Sequence, residues 1–245
     1  MSIAWMIVLM KSNVCIALDF QTKQEVLDFL DQFPNESLYV KVGMELFYGE
    51  GASIVEEIKK RGHRIFLDLK LHDIPNTVKQ AMKQLAKLDV DLVNVHASGG
   101  IAMMKAALEG LEEGKVGVHR PKIIAVTCLT SLDQDVLDHQ LLIHEPLNDV
   151  VLKWASNAKE AGLDGVVCSP LESKLIHDHL GLDFMTVTPG IRLAGSSVND
   201  QKRVTTPALA KELTSTEIVV GRSITKADDP VAAYHQCLKE FQGEE

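Results

Sequence analysis

The sequence predicts an α/β protein folded as a single (β/α)8 barrel of the TIM type, and three observations carry that expectation. Short apolar runs recur along the 245 residues, amphipathic segments fill the gaps between them, and polar residues collect where the runs end. The runs fall at 14–19, 38–42, 65–70, 92–96, 123–127, 165–168, 184–188 and 218–221. Most are β-branched or aliphatic throughout rather than alternating, which suits parallel strands covered on both faces.

The intervening segments read as helices. Thr22 and Glu25 form a T-x-x-E capping box ahead of Val26, Leu27, Phe29 and Leu30. Ile54, Val55 and Ile58 follow the second run. Val78, Met82, Leu85 and Leu88 follow the third at helical spacing, with Lys79, Lys83 and Lys87 on another face, read as solvated. Leu147, Val150, Val151, Trp154 and Ala158 mark a long helix before the sixth. A doubly wound open sheet is the competing architecture, but no G-x-G-x-x-G follows any run. With no linker or break in composition, residues 10–245 are expected to form one domain.

Composition narrows the function. A chain that is 46% hydrophobic and 24% charged is an ordinary globular sequence. A formal charge of −9 argues against a nucleic-acid surface, yet leaves room for a local cationic pocket that takes a small anion. Cys15, Cys128, Cys168 and Cys237 form no C-x-x-C pair and are expected to be core residues of a protein in a reducing, cytoplasmic setting. The opening MSIAWMIVLM is apolar but too short to span a bilayer, and it lacks the basic start of a secretory signal. Residues 1–9 are therefore expected to be an extension outside the barrel, with Met10 opening a more ordinary start, as a misassigned start codon would leave.

In a barrel of this kind, active sites lie at the C-terminal ends of the strands. Asp19, Lys41, Asp68 with Lys70, His96, Thr130 with Ser131, Pro189, and Gly221 with Arg222 all stand at or just after those ends. Asp68 and Lys70 are two apart, so on a regular strand they leave the same face. With Lys41 and Asp19 on neighbouring strands they make an array of carboxylates and ammonium groups, each keeping its neighbour ionised. A structural ion network that closes the barrel is the alternative for the same residues. Gly221 and Arg222 follow the eighth run, where this fold commonly binds phosphate. Residues 191–207, IRLAGSSVNDQKRVTTP, are the longest polar stretch and are expected to form a lid. Among the histidines there is no H-E-x-x-H, and His177 with His179 are poorly spaced for shared ligation, so no metal site is expected.

In this order, ALDF, KVGMELF, FLDLKLHDIPNT, VTCLTS, TPGIR and VVGRSI resemble the orotidine 5′-phosphate decarboxylase family. The most specific part is DLKLHDIPNT, similar to the family's D-x-K-x-x-D-I-P-N-T signature, and the resemblance runs from Val14 to the C-terminal helix. It implies decarboxylation of orotidine 5′-monophosphate to uridine 5′-monophosphate without metal or cofactor, the last step of de novo pyrimidine synthesis. It further implies that Asp19 and Lys41 hold ribose hydroxyls, that Asp68 faces the substrate carboxylate, and that Lys70 delivers the proton to C6. Thr130 and Ser131 would meet the pyrimidine, while Arg192 and Gln201 on the lid would meet the ligand, Gln201 at the phosphate. Asp73 and Thr77 would reach into the partner's site of a homodimer. A related metal-dependent sugar-phosphate decarboxylase or aldolase shares the D-x-K-x-x-D pattern. The I-P-N-T continuation, C-L-T-S and the long loop carrying Gln201 favour the nucleotide. A phosphonucleotide sensor without turnover is a third reading, against which the intact Lys70, Asp68 and Asp73 speak.

Overall fold

A computed structural model of the chain describes residues 13–193 and 205–243. Eight parallel strands close into a barrel in the order β1 to β8, so the open-sheet alternative falls. They are β1 Val14–Ala17, β2 Tyr39–Gly43, β3 Arg64–Leu71, β4 Leu92–His96, β5 Lys122–Val126, β6 Gly165–Val167, β7 Met185–Thr188 and β8 Glu217–Val220. Each strand overlaps one of the expected runs, with its ends shifted by no more than two residues. The helices are α1 Lys23–Leu30, α2 Met44–Glu50, α3 Ala52–Lys60, α4 Pro75–Leu85, α5 Gly100–Gly114, α6 Gln134–His139, α7 Leu147–Glu160, α8 Pro170–Leu180, α9 Pro207–Glu212, α10 Arg222–Thr225 and α11 Pro230–Gln242. The expected extension over residues 1–9 lies outside the described residues.

Two apolar layers hold the barrel. Alternate strand residues such as Cys15, Ala17, Tyr39, Phe66, Ile124, Val187 and Val219 fill its interior. Their neighbours, among them Val14, Ile16, Val40, Leu67 and Val93, face outward and pack with Val26, Ile58, Met82 and Leu111 of the helices. Continuous apolar strands thus reflect burial on both faces. All four cysteines are buried free thiols, as expected of core residues.

Local signals fix the helix starts. The Thr22–Glu25 capping box forms, and Ser169 with Glu172 makes a second one at α8. Proline occupies the first turn of α4, α9 and α11, where its missing N–H removes no helical bond. Helices α4 and α5 pack closely, because a Cβ at Gly110 or Gly114 would stand 2.2 Å from the carbonyl oxygen of Lys79 or Lys83. Of the lysine series, Lys87 is exposed as expected of a solvated face, and Lys79 and Lys83 are half-buried beside this contact. Lys79 pairs with Glu109 and Glu113, and Lys83 with Glu113, across the helix pair. Among the described residues no helix is long and apolar enough to cross a membrane.

One irregularity interrupts the barrel. Leu67 of β3 pairs with Val93 of β4, but Leu71 pairs with Val95, so β3 carries extra residues over the same length of β4. Lys70 lies in this bulge with φ +51°, a left-handed backbone that residues with a side chain adopt at a cost.

Candidate active site

The bulge aims two charged side chains at one point. Lys70 Nζ donates to Asp68 Oδ1 at 2.7 Å. The sequence placed both on one face by simple alternation; the structure brings them together through a distorted strand end instead. Lys41 Nζ of β2 sits 3.4 Å from Asp68 Oδ2 and 3.3 Å from Asp19 Oδ1 just beyond β1. The array is therefore Asp19, Lys41, Asp68, Lys70 in spatial order, as expected. Asn94 of β4, a residue the sequence reading did not single out, donates from Nδ2 to Asp68 Oδ1 at 2.7 Å. Its own Oδ1 accepts the backbone N–H of Lys70 at 2.8 Å.

Charge balance follows burial. Asp68 is 7% exposed. Burial works to raise its pKa, but Lys41, Lys70 and the hydrogen bonds from Lys70 and Asn94 prevail and hold the carboxyl below the usual carboxylate range. Burial likewise works to lower the pKa of Lys41, and the charges of Asp68 and Asp19 more than reverse it. Gly43 keeps this point open, since a Cβ there would stand 3.1 Å from Lys41 Nζ.

The array forms one wall of a cleft of roughly 260 Å³ at the C-terminal end of the barrel. Asp19, Lys41, Asp68, Lys70, Thr130, Pro189, Arg192, Gly221 and Arg222 all line it. Its floor is apolar, with Ala17, Phe66, Val126, Val167, Val187 and Val219. These floor residues were visible in the sequence only as strand positions. The cleft thus joins an apolar slot, a charged wall and, at the end of β8, a glycine followed by a forked cation.

Other expected residues stand apart. Ser131 is exposed and does not line the cleft, although its neighbour Thr130 does. Asp73 and Thr77 are exposed beyond β3 and at the first turn of α4, and neither lines this chain's own cleft. His96 packs against His72 with ring centroids 5.6 Å apart rather than entering the cleft. Burial, helped by His72 and Lys70, lowers its pKa. Gln201 lies outside the described residues. The base of its loop is clasped, with Arg192 N–H donating to Thr205 O at 2.9 Å and Thr205 N–H to Gly190 O at 3.1 Å. Among the described residues no group of three or more His, Cys, Asp or Glu is placed to hold a metal ion.

Comparison with known proteins agrees with this geometry. The family model described as Orotidine 5'-phosphate decarboxylase / HUMPS family matches residues 12–237. The chain belongs to that family. It is 60% identical over 234 residues to the orotidine 5'-phosphate decarboxylase of Bacillus pumilus, covering 95% of this chain and 100% of that protein. The Bacillus mycoides orotidine 5'-phosphate decarboxylase is 57% identical over 235 residues, covering 96% and 99%. Among solved structures, the Lactobacillus acidophilus orotidine 5'-phosphate decarboxylase superposes with a TM-score of 0.85 at 46% identity, covering 94% of this chain and 99% of that one. An uncharacterized conserved protein from Geobacillus kaustophilus superposes at 0.84 with 50% identity, covering 93% and 99%.

The array makes a stability prediction. Asp68→Ala leaves two cations facing each other with their shared anion gone and is expected to cost about 3 kcal/mol. Asp19→Ala removes a carboxylate whose side chain is 60% exposed and is expected to cost less than about 1 kcal/mol. Urea unfolding of both variants checks this. Asp68 ionises more easily when folded, so its contribution is present above the unfolded carboxylate pKa and is lost as pH falls through the folded value. The gap between parent and Asp68→Ala should therefore close in acid.

Proposed function

We propose that this chain decarboxylates orotidine 5′-monophosphate to uridine 5′-monophosphate and carbon dioxide, the closing step of pyrimidine nucleotide synthesis. The observation that carries the reading is the Lys41–Asp68–Lys70 array on one wall of an apolar cleft that also holds Gly221 and Arg222. The names of relatives 57–60% identical over nearly the whole chain support the same substrate.

In this reading the phosphate lies against Gly221 and Arg222, with Gln201 closing over it from the lid and Arg192 at the lid's base. Asp19 and Lys41 take ribose hydroxyls. The pyrimidine rests on the apolar floor near Thr130 and Pro189, with C6 toward Lys70. The bond between C6 and the carboxylate carbon breaks, its electron pair stays on C6, and carbon dioxide leaves. That pair occupies an in-plane orbital the ring π system cannot delocalise. The barrier falls only if positive charge is already fixed where the negative charge grows. Lys70 supplies that charge, and its Nζ then transfers a proton to C6.

Repulsion between Asp68 and the substrate carboxylate is the smaller contribution. Asp68 already accepts from Lys70 and Asn94 and faces Lys41, so much of its charge is compensated before substrate arrives. Its main effect is to hold Lys70 in place. Lid closure excludes water and lets binding at the remote phosphate contribute to the transition state.

The reading takes residues 10–245 as one catalytic barrel acting in the cytoplasm, for which four buried free thiols are fitting. It needs no metal or cofactor. It also takes the enzyme as a homodimer in which Asp73 and Thr77 complete the partner's site. Both side chains are exposed, and Ile74 between them is 67% exposed, an apolar group set beside a charged loop.

An ultraviolet assay of orotidine 5′-monophosphate with purified protein tests the reaction. Turnover is expected, undiminished by excess EDTA; loss of activity to the chelator would favour a metal-dependent sugar-phosphate chemistry. Lys70→Ala is expected to lower kcat by more than about 10³-fold while uridine 5′-monophosphate binds within about tenfold of the parent. Equal turnover by this variant would remove Lys70 from its role. Mixing Lys70→Ala with Asp73→Ala protein, each poor alone, tests the shared site. Random exchange should restore about a quarter of parental activity, because half the dimers are mixed and each has one intact site. No recovery after demonstrated exchange would contradict the shared site.

A further inference from the structure

Asn94 has no place in the mechanism above, yet its side chain is 1% exposed and both of its polar atoms are committed. Its Nδ2 donates to Asp68 Oδ1, and its Oδ1 accepts the Lys70 backbone N–H. The assignment is forced by chemistry, since an amide N–H can only donate and an ionised carboxylate can only accept. Nothing else about β4 requires an amide here. The neighbours Val93 and Val95 are fully buried and apolar.

The bulge explains what the amide does. Extra residues in β3 take Lys70 out of register with β4, so its backbone N–H loses a regular ladder acceptor. The left-handed φ of Lys70 is strained and would relax without a restraint. One side chain therefore ties both ends of the Asp68–Lys70 pair: the backbone of the lysine and the carboxylate its ammonium touches.

We propose that Asn94 is a positioning residue of the decarboxylation, a clip that holds the Lys70 backbone in its left-handed bulge and orients Asp68 Oδ1, so that the Lys70 ammonium is fixed before substrate binds. This rests on the function proposed above. It says where that ammonium gets its rigidity: from an uncharged residue that does not line the cleft. The groups that titrate around Asn94 are Asp68 and Lys70 on β3 with His72 just beyond, Lys41 on β2, and His96 on β4.

Two substitutions separate the halves of the clip. Asn94→Asp keeps an acceptor for the Lys70 N–H but turns an oxygen toward Asp68 Oδ1. Two carboxylates that close share a proton, and a protonated introduced carboxyl regains the donor. Asn94→Ala loses both contacts at every pH. The experiment measures kcat, KM and pH profiles for parent and both variants, with thermal unfolding alongside and a crystal structure of Asn94→Ala. For Asn94→Asp, kcat is expected to fall about 10- to 100-fold at neutral pH with KM within about threefold, the mark of a displaced reacting group. Part of that loss should return as pH is lowered. Asn94→Ala should fall at least as far without acid recovery, and its structure should show Lys70 leaving the left-handed region with Nζ drawn off Asp68.

Either of two results overturns the proposal: kcat near the parental value in both folded variants, or an Asn94→Ala structure with the Lys70 backbone and the Lys70–Asp68 contact unchanged. A parent without turnover would instead sink the proposed function, and the crystal structure alone would then decide whether the clip exists.

Discussion

One carboxylate organises the mouth of this barrel. Asp68 is nearly buried, and a buried anion is tolerated only when its surroundings replace the water it has lost. Here two ammonium groups and one amide do so, from three different strands, at 2.7 to 3.4 Å. Each cation owes its position to that anion in turn. Lys41 would be an isolated ammonium in a mostly apolar setting without Asp68 and Asp19. Lys41, Asp68 and Lys70 are thus mutually required, while Asp19, with its side chain 60% exposed, is the least consequential member.

Such an array sits at odds with the rest of the barrel interior, which is filled by side chains such as Phe66, Ile124 and Val187. The fold accommodates it at the end of β3 by breaking its own regularity. A bulge and a left-handed lysine cost on the order of 1–3 kcal/mol, and they persist only where neighbouring contacts over-determine them. Strain held by surrounding structure is a way to keep a reacting group still, so that no reorganisation is needed as charge develops. The same barrel end carries the apolar floor and the Gly221–Arg222 pair, so that the cleft combines a charged wall, an apolar slot and a forked cation.

Much of this was legible in the sequence, and the limits are instructive. The eight strands were readable because burial on both faces leaves continuous apolar runs. Asp68 and Lys70 were readable because charge inside such a run is anomalous. Asn94 was not, because a lone amide in LVNVH carries no charge, and its partners lie on a strand more than twenty residues away. The bulge was equally hidden, since register depends on the neighbouring strand and not on local pattern. Ser131 was placed at the pyrimidine by the family resemblance, but in the turn it shares with Thr130 it is exposed and does not line the cleft. The pairing of Lys79 and Lys83 with α5 escaped notice because the glycines that let the helices approach, Gly110 and Gly114, belong to the other helix.

The central claim is that a nucleobase carbon meets a cation already fixed by its neighbours. The most direct measurement is a crystal structure of this chain with uridine 5′-monophosphate bound. The account predicts the phosphate at Gly221 and Arg222, the ring on the apolar floor, and C6 within about 3.5 Å of Lys70 Nζ, with the Lys70–Asp68 contact still in place. A ring turned so that C6 faces away from Lys70, or a phosphate seated elsewhere, would contradict it.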